Sequence, residues 1–140
     1  WAVAMEQKRL KSTPSTVKFR INDPSSICIG VCFSSFLKQQ GFLIKVDARK
    51  PLRYSVNNNI GHGTYLLRSN GCTYSHSNVA DNYEKKSNWK FEKGDIVAVE
   101  LEPSTGRLTF SKADQYPVML EIGIEATLKQ EVHFCALLGD

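Results

Sequence analysis

The apolar residues of this chain come in short runs, each closed within a few positions by turn-forming residues, and that recurrence limits the fold more than any other feature. A helix needs an apolar period of 3.6 held over many positions, whereas a half-buried strand needs only a few alternations. Val17-Lys18-Phe19-Arg20-Ile21 alternates apolar and basic residues, so it reads as a strand with one buried face. Asn22-Asp23-Pro24-Ser25-Ser26 then turns the chain, because proline fixes φ and Asn and Asp bond to nearby backbone. Ile27-Cys28-Ile29-Gly30-Val31-Cys32-Phe33 is apolar on both faces, which predicts a central strand where Gly30 lets a neighbour approach closely.

The alternation of run and turn continues to the end of the sequence. Residues 34–61 are less regular: Phe36 to Gln40 suits one helical turn, Phe42 to Val46 a short strand, and Asp47 to Gly61 a long loop. A loop of that length in a compact domain is usually functional or mobile. Thr64 to Ser69 and Cys72 to His76 flank Asn70-Gly71, which predicts a tight hairpin with positive φ at both turn residues. Ser77 to Asn88 forms a second, polar loop before Ile96 to Leu101, a strand dense in β-branched residues. Pro103 to Gly106 reverses the chain into Arg107 to Ser111, Ala113 to Gln115 turns it into Tyr116 to Ile122, and Val132 to Leu138 supplies a closing strand. Besides the Phe36 turn, only Ile124 to Gln130 looks helical. The expected fold is all-β, a two-sheet antiparallel sandwich with little or no helix.

At 140 residues the chain suits one domain over 1–140, large enough to hold a core without metals or disulfides. No apolar run approaches the ~20 residues of a membrane helix, and no basic stretch precedes an apolar leader, so neither a membrane span nor a signal peptide is expected. The net charge of +4 is dispersed over Lys8, Arg9 and Lys11, then Lys45, Arg49, Lys50 and Arg53, then Lys85, Lys86, Lys90 and Lys93. Nucleic-acid binders concentrate such charge in a stripe, so solvated loops are the better reading and nucleic-acid or ribonucleoprotein binding the alternative. Cys28, Cys32 and Cys135 lie in apolar runs, and the sequence has no Asn-x-Ser/Thr sequon. Together with Cys72 they read as reduced thiols in a cytoplasmic or nuclear protein.

Residues with reactive chemistry do not assemble into a recognisable centre. Cys72 and His76, four apart on an expected strand, face the same way and would supply two zinc ligands where a structural site needs four. None of the cysteines has the exposed, oriented setting of a nucleophile. Glu100 and Glu102 alternate with apolar residues and so face solvent, and Gly61-His62-Gly63 lacks the lysine of a phosphate loop. No metal, cofactor or catalytic residue is expected. Tyr54, Tyr65, Tyr74, Tyr83 and Trp89 lie on or beside loops, and exposed Tyr, Trp and Arg dominate binding hot spots. The competing reading makes Tyr65 and Trp89 plugs against the sandwich.

Five stretches, in order, resemble the SPRY domain family. Ile27-Cys28-Ile29-Gly30-Val31 is similar to its early "IGV" strand, and Gly63 to His76 to its "GSYGL-SNG-YH" hairpin. Phe91 with Lys93-Gly94-Asp95-Ile96-Val97-Ala98-Val99 resembles "F-x-x-GDVIGV", Thr105 to Phe110 resembles "tGtLsF", and Val132 to Asp140 resembles "LYPavsLgd". The resemblance runs from about residue 17 to the end. Val17-Lys18-Phe19 stands where the family often has Trp-Glu-Val, and nothing matches the PRY extension. A second register sets Tyr116 to Met119 on "YPavs" and makes 132–138 the last strand; the first is preferred because it leaves Tyr116 to Ile122 to pair with Arg107 to Ser111. In the preferred register the family's last strand is missing or lies beyond Asp140. The resemblance implies a non-catalytic module that binds a peptide or protein through loops at one end of the sandwich, as an adaptor or scaffold part in ubiquitin-ligase, chromatin or cytoskeletal assemblies. The residues expected to meet that partner are Arg53, Tyr54 and Asn58 in the long loop, Tyr65, Tyr74 and His76 on the hairpin, and Trp89.

Overall fold

The computed structural model describes residues 2–6, 10, 13–39, 60–85 and 88–139. Among them, the strands are β1 (Ala2–Met5), β2 (Ser15–Arg20), β3 (Ile27–Phe33), β4 (Thr64–Arg68), β5 (Cys72–Ser75), β6 (Glu84–Lys85), β7 (Ile96–Glu102), β8 (Arg107–Lys112), β9 (Val118–Glu121) and β10 (Val132–Leu138). Two short helices, α1 (Ser34–Gln39) and α2 (Ile124–Lys129), accompany them. The strands form a six-stranded sheet in the order β1-β10-β3-β4-β5-β6 and a four-stranded sheet in the order β2-β7-β8-β9. All the pairings are antiparallel. The chain is an all-β sandwich.

The sequence pattern of each strand follows from its layer. In the four-stranded sheet, Val97, Val99, Leu101, Leu108, Phe110, Val118 and Leu120 point inward, while Thr16, Lys18, Arg20, Glu100, Arg107, Ser111 and Glu121 face water. They meet Ile29, Val31, Phe33, Tyr65, Leu67 and Phe134 of the six-stranded sheet, forming the main core. Each such side chain contributes roughly 1.5–3 kcal/mol on burial. The outer face of the six-stranded sheet is apolar too: Cys28, Cys32, Leu66, Tyr74, Cys135 and Leu137 cluster there with Leu37 of α1. Burial on both faces explains the unbroken apolar run of β3. Gly30 is the close-approach point: a Cβ there would stand 2.0 Å from the Tyr65 carbonyl oxygen.

Besides the two-residue strand β6 within the expected Ser77 to Asn88 loop, two features depart from the sequence expectation. The hairpin between β4 and β5 has the predicted Asn70-Gly71, but only Gly71 has positive φ, at 89°. Gly71 N–H bonds to Arg68 O at 2.9 Å, and the strands pair with Leu67 opposite Thr73. The loop is thus three residues, a type I turn closed by a left-handed glycine, because that register leaves one residue more than a type I′ turn holds. Asn70 instead accepts the Cys72 N–H on its side-chain oxygen at 3.1 Å. The second departure is β1, which the sequence did not announce: it adds to the free side of β10, pairing Ala4 with Ala136. The β8–β9 pairing expected of Tyr116 to Ile122 is present, with Phe110 opposite Val118.

Candidate functional site

At the end of the sandwich where β3 finishes and β4 begins, a groove of about 550 Å³ opens between the two sheets. Phe33 and Tyr65 form its floor, both essentially inaccessible. One wall is His76 and Ser77, where β5 ends; the other is the β9–α2 turn and α2 itself, from Ile122 to Gln130. The elements that carry it are pinned. Ile122 N–H bonds to Gly106 O at 2.7 Å, tying the front of α2 to the four-stranded sheet. Ser34 N–H bonds to Glu131 O at 3.1 Å, and Ser35 Oγ to Gln130 Oε1 at 3.2 Å, tying its far end to α1.

The strand-side wall rests on a network of neutral histidines. His62 Nδ1 accepts the Thr64 hydroxyl at 2.7 Å, and its Nε2–H donates to Asn82 Oδ1 at 3.0 Å. Burial is the main reason its pKa falls to about 4, since a charged imidazole loses hydration there. His76 Nδ1 accepts the Gly63 N–H at 2.7 Å, and partial burial lowers its pKa as well. Its ring stands edge-on to Phe33 and Phe36, with centroids 5.2 and 4.7 Å away. Edge-to-face packing of this kind adds fixed geometry to ordinary burial. Tyr65 meets Ser77 through its hydroxyl at 2.8 Å.

The structure separates the residues that sequence reasoning grouped together. Arg53, Tyr54 and Asn58 lie outside the described residues. Tyr65 and His76 do line one groove, but Tyr65 is fully buried and offers only the floor. Its neighbours Thr64, Leu66 and Leu67 are buried as well, so β4 is covered on both faces and no side chain of that run reaches solvent as a free ring. Tyr74 lies elsewhere and is buried. It pairs opposite Leu66 and enters the outer cluster with Cys28, on the other face of the sheet from Tyr65. Burial raises its pKa, and its ring leans on exposed Tyr83 at 6.0 Å. Trp89 is buried in the main core. It borders a separate hollow of about 400 Å³ with Asn88 and residues 115–119, toward the start of β9, whereas the His76 groove lies at its end. Cys72 and His76 do not share a face, because β5 ends at Ser75 and alternation stops there. Among the described residues, no group of three or more His, Cys, Asp or Glu is placed to hold a metal.

Sequence reasoning missed the helix-side wall. Ile124, Glu125, Lys129 and Gln130 were legible only as a polar helical stretch, and nothing in their order marks them as facing β5. The flat, solvated pattern of Glu125 and Lys129, 3.8 Å apart and mostly exposed, is that of any surface helix.

No protein-family model matches the sequence, and neither does any curated protein. Solved structures do match. The SPRY domain of human HERC1 superposes with a TM-score of 0.63 at 16% identity, over 97% of this chain and 73% of that one. The chain has a SPRY fold. The TRIM65 PSpry domain agrees, with a TM-score of 0.61 at 14% identity, over 99% of this chain and 65% of its own. This chain therefore spans less than two thirds of the length of that PSpry domain. The groove lies between the two sheets of that sandwich. No described helix is long and apolar enough to cross a membrane.

Proposed function

We propose that this SPRY-like module is a non-catalytic binding domain whose partner is another protein, docked at the groove between β5 and α2. The supporting observation is the groove itself: an aromatic floor, a few polar side chains fixed by hydrogen bonds, and walls carried on strands and a pinned helix. Sites of that make-up suit an apolar anchor with one or two directed polar contacts. Arg53, Tyr54 and Asn58 belong to the proposed surface through the family resemblance. His76 belongs to it through its place on the wall. Tyr65 supports the site from beneath, and Tyr74 and Trp89 act as core.

The test is capture from native extract by the intact chain and two variants. Ile124 is half exposed on the groove wall, and Met119 is similarly exposed beside the Trp89 hollow. Ile124→Arg places a charged chain across the groove and is expected to weaken capture at least tenfold, the loss typical of a central contact. Met119→Arg is expected to leave it unchanged. Equal capture by both variants would remove the groove from consideration. A steep fall of capture with salt would favour nucleic acid as the ligand, since released counterions set that slope.

A further inference from the structure

Each wall of the groove presents one neutral side chain held by a hydrogen bond to its acceptor atom. On the strand side, His76 Nδ1 takes the Gly63 N–H at 2.7 Å, so the proton of the neutral ring sits on Nε2. On the helix side, Gln130 Oε1 takes the Ser35 hydroxyl at 3.2 Å, which fixes the amide and leaves both its N–H donors and one lone pair to offer. Both residues line the groove, and no described residue accepts a hydrogen bond from either nitrogen. Of the other polar groups there, Ser77 and Tyr65 are bonded to each other at 2.8 Å, and Lys129 and Glu125 are a solvated pair 3.8 Å apart.

The groove therefore offers two neutral donors beside the apolar surface of Ile124 and Ala126, with an exposed Lys129–Glu125 pair on the helix wall. We propose that it recognises an uncharged amide carbonyl beside a branched apolar side chain, as an extended peptide segment of the partner would present. The inference rests on the groove being the partner site. An ammonium group would meet only the exposed Glu125, already faced by Lys129, and would leave both donors unmatched. A carboxylate would have to leave water for two neutral donors, with Glu125 beside Lys129, the groove's cation, to repel it. A carbonyl matches them at no charge penalty, and the side chain next to it packs on Ile124 and Ala126 of the helix wall.

The experiment uses the 15N-labelled full chain and three small probes, followed by the side-chain N–H resonances of His76 and Gln130. N-acetyl-leucine methylamide carries the carbonyl and the branched chain, isovalerate a carboxylate, and isoamylamine an ammonium. The amide is expected to move both resonances and to bind more tightly than either ion. His76→Asn keeps an acceptor where Nδ1 stands but removes the Nε2 donor, and should weaken the amide by roughly two- to tenfold, the worth of one hydrogen bond. His76→Gln, whose amide nitrogen stands near Nε2, should recover most of that loss. Tighter binding of isovalerate or isoamylamine than of the amide, or equal amide binding by wild type and His76→Asn, overturns the carbonyl assignment. Ile124→Arg separates the two levels. If it abolishes the response to every probe while the amide shows no preference, the groove stands and the carbonyl falls. If it responds as wild type does, the groove reading itself falls.

Discussion

Replacing Gly30 by alanine tests how tightly the six-stranded sheet is built. The added methyl would stand 2.0 Å from the Tyr65 carbonyl oxygen, 3.0 Å from its carbon and 3.1 Å from Leu66 Cα, all main-chain atoms. A carbon and a carbonyl oxygen approach no nearer than about 3.3 Å, so the site is short by about 1.3 Å. No rotamer relieves a clash with backbone, and β4 must retreat from β3. The two strands share five register pairs, from Cys28 with Arg68 to Cys32 with Thr64. A shift of that size takes the central hydrogen bonds of the ladder beyond the ~3.2 Å limit. Losing two or three of them, at about 1 kcal/mol each, and disturbing the packing of Tyr65 and Leu66 gives about 3–5 kcal/mol. The reduced entropy of the unfolded chain returns only about 0.4–1 kcal/mol. The melting temperature should fall by roughly 10 °C or more. Urea unfolding followed by the fluorescence of buried Trp89 measures the change. Gly94→Ala is the control, since its φ of +92° is strained but nothing lies within 4 Å of the new methyl; it should cost only about 1–2 kcal/mol. A Gly30→Ala protein no less stable than Gly94→Ala would refute the close-approach argument.

Gly71→Val should cost about 1 kcal/mol or more in thermal melts, because a β-branched residue is strained at φ +89°, whereas Asn70→Gly should cost less, since Asn70 lacks positive φ. His62 has a folded pKa of about 4 against 6.5 unfolded, so the unfolded chain binds the proton first as pH drops. Its contribution is present above pH ~6.5 and is lost as pH falls toward ~4, by about 3 kcal/mol, and unfolding at pH 7.5 and 4.5 should show a smaller difference in His62→Gln. Thiol labelling of the native protein should modify Cys72 ahead of the rest, because Cys28, Cys32 and Cys135 are buried and burial pushes Cys28 up to about 12. Labelling after denaturation without reductant should then find all four thiols, and fewer would indicate a disulfide.

The strands were legible wherever their own residues settle burial. Val97 to Leu101 and Leu108 to Phe110 alternate because one face meets a core and the other meets water, a property local to each strand. The type of the hairpin turn was not local. Asn70-Gly71 marks the place, but the pairing of Leu67 with Thr73 sets the loop at three residues and leaves the left-handed position to Gly71 alone. β1 was invisible because its partner, β10, lies more than 120 residues away, and a strand of four residues has no period to read. Within the site, the burial of Tyr65 was present in the sequence and outweighed by its chemistry. A tyrosine inside Thr64-Tyr65-Leu66-Leu67, with no polar alternation, sits in a strand covered on both faces. The opposite wall could not be found that way, since α2 reaches His76 only through the packing of one sheet on the other.

The two ends of α2 answer to different sheets: Ile122 holds to Gly106 of the four-stranded sheet, and Gln130 and Glu131 hold to α1 at the foot of β3 in the other. The helix is a strut across the seam of the sandwich, so the width of the groove beneath it is tied to how the layers sit on each other. A ligand touching both His76 and Gln130 is then a rivet through that seam. It stabilises the whole domain against unfolding in proportion to RT ln(1 + [L]/Kd). Damage far away, such as a cavity at Val99, would surface as weaker binding before it surfaced as unfolding.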